Sequence, residues 1–402
     1  MEPDKTVIHA RFSEYFGQSL ATQFHRDGGP WKDERNLLNP GFKVSSLRAM
    51  HATFTKYAIG FTALLRDSAV KNPGSSVEMY KPMATVAADL ISMAGFNYSL
   101  EASSSDGSYN QFMSSLYRSV DRITNPLLLF PYGATFLKWV GSGDFRVMDK
   151  VLYQVIDNRV AELQSGKRDP NRVPDLLDAM LVPDEEGRML SREHMRNELA
   201  IFYFAGHETS ATTMSWVIYV LAKHPEVYAR VLDEVDAVLG GPDGSVVSPT
   251  AEQLEQLTYL DMVINEVLRL YPPVNNINRA IHETFELEGY IFPKGFMVNV
   301  SVMGIHHDPN IWPDPDRFDP ERFSKNNPEV AGRHQMSFIP FAFGKRTCIG
   351  KTFFLHEAKT VLPTLLRVIK FDLDDTKESG RVTSISGLNK PNAVHVKMSL
   401  RS

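Results

Sequence analysis

The chain of 402 residues is 43% hydrophobic and 23% charged, with a net charge of −5 from 43 basic and 48 acidic side chains. Those are globular proportions, and a chain this long buries roughly three quarters of its unfolded surface, enough for a large core and an enclosed cavity. The acidic balance speaks against nucleic acid as a partner, and a single cysteine, Cys348, excludes an internal disulfide and any zinc site built from several thiolates.

The N-terminus, Met1-Glu2-Pro3-Asp4-Lys5, is charged and lacks the apolar run of a signal peptide. Apolar residues then recur at three and four spacing over Leu47 to Asp67, Val77 to Asn97, Tyr109 to Ile123 and Phe145 to Gln164, which predicts four helices. A longer helix is predicted from Ser191 to Lys223, just before His224-Pro225. Its apolar part, Ala200 to Ala222, is long enough to cross a bilayer. It carries His207 and Glu208 near its middle, and ionisable groups at that depth are costly. The segment therefore reads as a buried helix, and no membrane span is expected.

Further helices are predicted over Pro225 to Leu239 and up to Tyr271-Pro272-Pro273, where two prolines forbid continuation. From Asn278 the texture changes to short alternating runs, and Phe285 to Leu287, Tyr290 to Phe292 and Met297 to Val302 read as strands. Gly350 to Ile369 is helical again, and Val382 to Ile385 with Ala393 to Met398 reads as a terminal hairpin. No repeat and no long linker divides the chain. The expectation is one domain over residues 1–402, mainly α with a minor β-sheet.

Two motifs come close to known chemistry and fail on spacing. Gly344 to Thr352 resembles a phosphate-binding loop, but five residues rather than four separate Gly344 from Gly350, and Pro340 spoils the strand that should lead in. His207-Glu208 opens a zinc-hydrolase pattern whose second histidine position is Ala211. What remains is Phe341-Ala342-Phe343-Gly344-Lys345-Arg346-Thr347-Cys348-Ile349-Gly350.

Cys348 there could be a small buried hydrophobe, or a nucleophile with His356 as base, although eight helical residues put that histidine about 12 Å away. A third reading explains more of the surroundings. A thiolate just before a helix N-terminus is stabilised by free N–H groups and by nearby cations, here Lys345 and Arg346. Gly344 and Gly350 would let a flat macrocycle approach the backbone, and Phe341 would shield the sulfur. A soft, desolvated sulfur suits haem iron as an axial ligand.

This stretch resembles the F-x-x-G-x-R-x-C-x-G haem loop of the cytochrome P-450 family at every fixed position. Glu266 and Arg269 resemble that family's E-x-x-R pair, Asp319 to Phe323 its P-E-R-F element, Ala205-Gly206-His207-Glu208-Thr209 its oxygen-site helix, and Trp31 to Arg35 its W-x-x-x-R. All five occur in the family's order. The resemblance implies haem b with Cys348 as its thiolate ligand, and a monooxygenase that inserts one oxygen atom from dioxygen into a lipophilic substrate. It implies that Trp31, Arg35, Arg346 and Arg279 hold the haem propionates, and that Phe341, Gly344 and Gly350 shape the haem loop. Ala205 and Gly206 would make room against the helix, while Thr209 and Glu208 relay protons. Thr209 lies one turn from Ala205, so its hydroxyl can bond back to that carbonyl. Glu266, Arg269 and Arg322 would form a buried structural cluster.

No G-x-G-x-x-G fingerprint is present, so electrons are expected from a separate flavoprotein reductase or ferredoxin. Residues 321–359 hold seven Lys/Arg against three Asp/Glu, a net +4 that would suit an acidic redox partner. The run Leu127-Leu128-Leu129-Phe130 with Phe136 and Leu137 hints at a lipophilic ligand, or equally at core packing. The W-x-x-x-R element starts earlier here than in the family, at Trp31, so the family's N-terminal helix and first strands are expected to be missing. Eukaryotic members carry an endoplasmic-reticulum anchor there, and localisation stays unassigned. Two alternatives follow: a truncated chain that binds haem poorly, and a reductase-independent isomerase or dehydratase acting on peroxides.

Overall fold

The computed structural model describes the chain outside residues 1–12, 14–15, 23–29, 103–109, 124, 126, 128–131, 167–171, 182, 184–186, 188, 386–387 and 402. Among the described residues, the helices of eight residues or more are α1 (Pro30–Leu38), α2 (His51–Lys71), α3 (Tyr80–Phe96), α4 (Gln111–Ile123), α5 (Gly133–Val140), α6 (Ser142–Gln164), α7 (Arg192–Lys223), α8 (Pro225–Leu239), α9 (Thr258–Leu270) and α10 (Lys351–Leu366). The local signals act as read. Ser191 caps α7 by accepting the His194 N–H at 3.1 Å. Pro225 opens α8, where its missing N–H costs nothing, and α9 stops one residue short of Tyr271-Pro272-Pro273.

Helix α7 is the axis of the molecule, packed against α3, α6, α9 and α10. From Met195 to Leu221 it is buried on every face except at Phe204, Ala205, Gly206 and Thr209. A helix hydrophobic all round belongs in a core, so that interruption marks an internal space. Among the described residues no helix is long and apolar enough to cross a membrane.

The β structure is small. Strands β1 (Ser76–Glu78), β6 (Ile369–Leu373) and β9 (His395–Leu400) form an antiparallel sheet in the order β1-β9-β6. The pairs β2 (Asn276–Ala280) with β5 (Met297–Ser301), β3 (Phe285–Leu287) with β4 (Tyr290–Phe292), and β7 (Val382–Ile385) with β8 (Leu388–Pro391) are separate antiparallel ladders. The terminal hairpin is thus corrected: Val382–Ile385 pairs with Leu388–Pro391, while the last strand fills the middle of the other sheet. Helix α10 stops at Leu366, so Ile369, expected at the helix end, opens strand β6 instead. Asn-Ile-Asn-Arg-Ala in β2 has no strong strand signal. Its pairing with β5, not its composition, makes it a strand.

The basic stretch at 321–359 is also corrected. Arg322, Arg346 and Lys359 are buried, Lys359 on Asp261 at 2.6 Å, and Arg333 stacks 4.0 Å over Trp312. Lys325, Lys345 and Lys351 are the exposed cations of that stretch. A charge count along the chain cannot tell a surface patch from side chains spent on internal contacts.

Candidate functional site

The interruption in α7 opens on a cavity of about 310 Å3. Ala205, Gly206, Thr209, Ser210 and Thr213 of α7 line it, as do Trp31 and Arg35 of α1 and the loop from Pro340 to Gly350. Leu268, Val302, Phe353 and Phe354 add apolar wall. Cys348 and Ala205 keep accessible surface although core atoms surround them, because that surface faces the cavity.

The loop before α10 is folded around the cysteine. The Cys348 N–H donates to Phe341 O at 2.8 Å, and Thr347 Oγ1 donates to the same carbonyl at 3.1 Å. Gly344 has φ +78°, in the left-handed region, and a Cβ there would meet no described atom within 4 Å. The positive φ by itself requires glycine at this position, and the space beside it is open. At Gly350, a Cβ would lie 3.8 Å from Cys348 Sγ, an ordinary contact.

Burial pushes the Cys348 thiol up, opposed by the N–H groups of Gly350 and Lys351, which point at the sulfur, and by the Arg35 guanidinium. The cation expected beside the sulfur was Lys345 or Arg346. It is Arg35, reaching across from α1, which also donates from Nη1 to Thr347 O at 2.9 Å and from Nε to Asn39 Oδ1 at 2.8 Å. Arg346 instead lies 3.8 Å over the Trp31 ring. Trp31, Arg35 and Arg346 therefore stand together at one part of the cavity. A thiol offered a soft cation releases its proton, so iron binding would reverse the effect of burial.

On α7, Thr209 Oγ1 donates to Ala205 O at 2.7 Å, the back-bond anticipated from sequence. A Cβ on Gly206 would press Ile91 Cγ1 at 3.1 Å, so that glycine serves the contact with α3. Among the cavity-lining residues neither Glu208 nor Arg279 is found. The Glu208 carboxylate lies 3.7 Å from Lys390 and 3.6 Å from His207 Nε2. Arg279 on β2 donates to Asn278 O at 2.9 Å. His356 is 2.9 Å from His51 Nδ1, and likewise does not line the cavity. Of the apolar run, 128–130 lie outside the described residues, while Leu127 and Phe136 are exposed, Leu137 is buried, and none of these three lines the cavity.

Sequence reasoning missed Glu357. It is fully buried on α10, and Ser210 Oγ of the cavity wall donates to its Oε2 at 2.6 Å. Burial pushes its carboxyl up to about 8, with the Ser210 hydrogen bond opposing. A carboxyl that stays protonated at neutral pH is a proton source. The stability consequence has a definite sign. The unfolded chain ionises this group near 4.5, whereas the folded chain keeps its proton to about 8. Its contribution is fully present below 4.5 and lost as pH rises toward 8. Urea midpoints should fall between pH 5 and pH 8 in the native chain, and fall by less in Glu357→Gln, which removes this group's share of the loss. Equal slopes in both would show that the group ionises while folded.

Glu266, Arg269 and Arg322 come together at the C-terminal end of α9. Arg269 grips Glu266 with two hydrogen bonds, Nε to Oε2 at 2.7 Å and Nη2 to Oε1 at 2.8 Å. Arg322 Nε lies 3.5 Å from Glu266 Oε1, and the Asp319 N–H donates to that oxygen at 2.9 Å. Glu266 and Arg269 are wholly buried.

The donor set fits haem: a buried thiol with two N–H groups on its sulfur, apolar walls, and cations beside an indole for the propionates. The Cytochrome P450 family profile matches residues 5–397. The chain belongs to the cytochrome P450 family. It is similar to cytochrome P450 4A10 of Rattus norvegicus, 33% identical over 395 residues that cover 94% of this chain and 74% of the relative. It is similar also to cytochrome P450 4Z1 of Homo sapiens, at 30% over 98% of this chain and 78% of the relative. Cytochrome P450 4B1 of Rattus norvegicus is 31% identical over 98% and 77%. The protein is a haem-thiolate monooxygenase of this cytochrome P450 family, with haem b as cofactor and a mainly α fold. Enzymes of this family draw electrons from a redox partner and act on lipophilic substrates.

Proposed function

We propose that this P450 oxygenates a lipophilic small molecule held in the α7 cavity, with electrons from a separate flavoprotein reductase or ferredoxin. The observation that carries the reading is that one apolar cavity is lined both by the thiol of Cys348 and by the α7 turn Ala205–Thr209, where Thr209 Oγ1 bonds back to Ala205 O. When bound, haem supplies the redox centre at which dioxygen is reduced and one oxygen atom is transferred. Cys348 would hold its iron, with Phe341 and Phe354 excluding water, and Trp31, Arg35 and Arg346 would hold its carboxylates. Apolar side chains, among them Ile91, Leu268, Ile277 and Val302, would exclude water and favour an apolar substrate.

Proton delivery falls to α7. Thr209 holds a hydroxyl at the cavity, and the neighbouring Ser210 connects the wall to the Glu357 carboxyl. Glu208, expected to share the relay with Thr209, stands beside Lys390 and His207, and we assign the buried proton reserve to Glu357. Thr209→Val keeps the shape and removes the hydroxyl. Product per electron consumed should fall on the order of 10²-fold, with peroxide released instead.

The test is turnover of a lipophilic panel with reductase under 18O2, run beside an arm given lipid hydroperoxide alone. Label in the product of the first arm supports the reading. Turnover confined to the hydroperoxide arm overturns it.

A further inference from the structure

Away from the cavity, α1 and α7 are joined by a second polar cluster. Glu34 of α1 and His194 and Glu198 of α7 each present one ligand atom, and the three atoms lie within 4.8 Å of one another. His194 and Glu198 are four residues apart and share a helix face. His194 Nε2 is hydrogen bonded to Glu34 Oε1 and stands 3.6 Å from Glu198 Oε1. The Leu20 N–H donates to Glu198 Oε1 at 2.5 Å and so orients that carboxylate.

The second oxygens supply an independent observation. Glu34 Oε2 and Glu198 Oε2 are buried without a hydrogen-bond partner, on residues only 3% and 0% exposed. Two adjacent buried carboxylates are costly unless a cation or a shared proton offsets them. One imidazolium neutralises only one of the two. A neutral imidazole with two carboxylates carries −2, which a divalent ion balances.

We propose that Glu34, His194 and Glu198 bind one divalent cation of the zinc type. One nitrogen with carboxylate oxygens suits Zn2+, Co2+ or Mn2+ and disfavours ions that need thiolates or all-oxygen cages. Donors on such an ion stand about 3.4 Å apart, close to the existing His194–Glu198 separation, so the ion would replace the His194–Glu34 hydrogen bond. An ion there would fasten α1, which carries Trp31 and Arg35, to α7, which carries Thr209.

The experiment adds Zn2+ alone to the purified holoenzyme after chelation, and measures bound metal, Tm and the zinc X-ray absorption edge. One equivalent of tightly held zinc is expected, with a Tm rise that saturates at that equivalent. The absorption fine structure should show nitrogen and oxygen only, with the outer-shell scattering of one imidazole. His194→Ala and Glu198→Gln should each lose the bound equivalent while keeping the reduced carbon-monoxide spectrum. If either fails to fold, the native chain's absorption spectrum still decides. No stoichiometric zinc, a sulfur neighbour, several imidazoles, or binding that survives both substitutions would overturn the site and leave a carboxylate pair sharing a proton.

Discussion

Replacing Cys348 by serine is expected to abolish the strongly red-shifted Soret band of the reduced, carbon-monoxide-bound protein. That band reports electron donation from a thiolate, and Cys348 is the chain's one cysteine. The serine variant keeps size and hydrogen bonding, so the loop held by Phe341 O and the helix start at Lys351 should persist. Its hydroxyl is too weakly acidic and too hard to replace a sulfur that already accepts two N–H groups. Cys348 faces the cavity and contributes little packing, so circular dichroism and the chain's expression should change little. Monooxygenase turnover should vanish with the band. A variant that retained the band would remove Cys348 from the iron and leave the site reading without its centre.

Breaking the Glu266–Arg269 pair is expected to have the largest effect on folding. Both side chains are wholly buried, Arg269 also donates to His306 O at 2.9 Å, and Arg322 reaches in from the segment after it. Removing one partner leaves a buried charge without its counter-charge, at a cost of about 3–5 kcal/mol. That is a large share of the ~5–15 kcal/mol that holds a domain together. Glu266→Ala and Arg269→Ala should therefore yield insoluble or haem-free protein. Arg269→Lys keeps the charge but loses the two-pronged grip and the carbonyl contacts, so it should fold poorly as well. The contrast is with Arg230–Glu321, whose partners are about half exposed. Arg230→Ala should shift the urea midpoint little, since such pairs contribute about 0–1 kcal/mol. Equal losses at the two sites would show that the buried cluster does not carry the loop from Asp314 to Phe323.

Much of the site was legible because its parts are local. The ten residues from Phe341 to Gly350 specify a turn, a left-handed glycine and a cysteine placed just before a helix start. Glu266 and Arg269 meet because three residues make one helical turn. Thr209 meets the Ala205 carbonyl for the same reason. The helices α7, α8 and α9 were bounded by Ser191, Pro225 and Pro272, each acting on its own neighbours. Strands were less legible. The N-I-N-R-A segment becomes β2 only by pairing with Met297–Ser301, and the last strand chose β1 and β6 over its neighbour in sequence.

The helical elements, the haem loop and the family's short motifs are all written in residues close together along the chain. The cation acting on the sulfur was not readable in that way, because Arg35 arrives on a helix from the far end of the chain. Packing between distant elements likewise put Glu208 beside Lys390, brought Glu357 to Ser210, and set Glu34 against His194 and Glu198. Short motifs encode contacts within a turn or two. The partner across an interface depends on how two helices are rotated against each other, and the whole core sets that rotation.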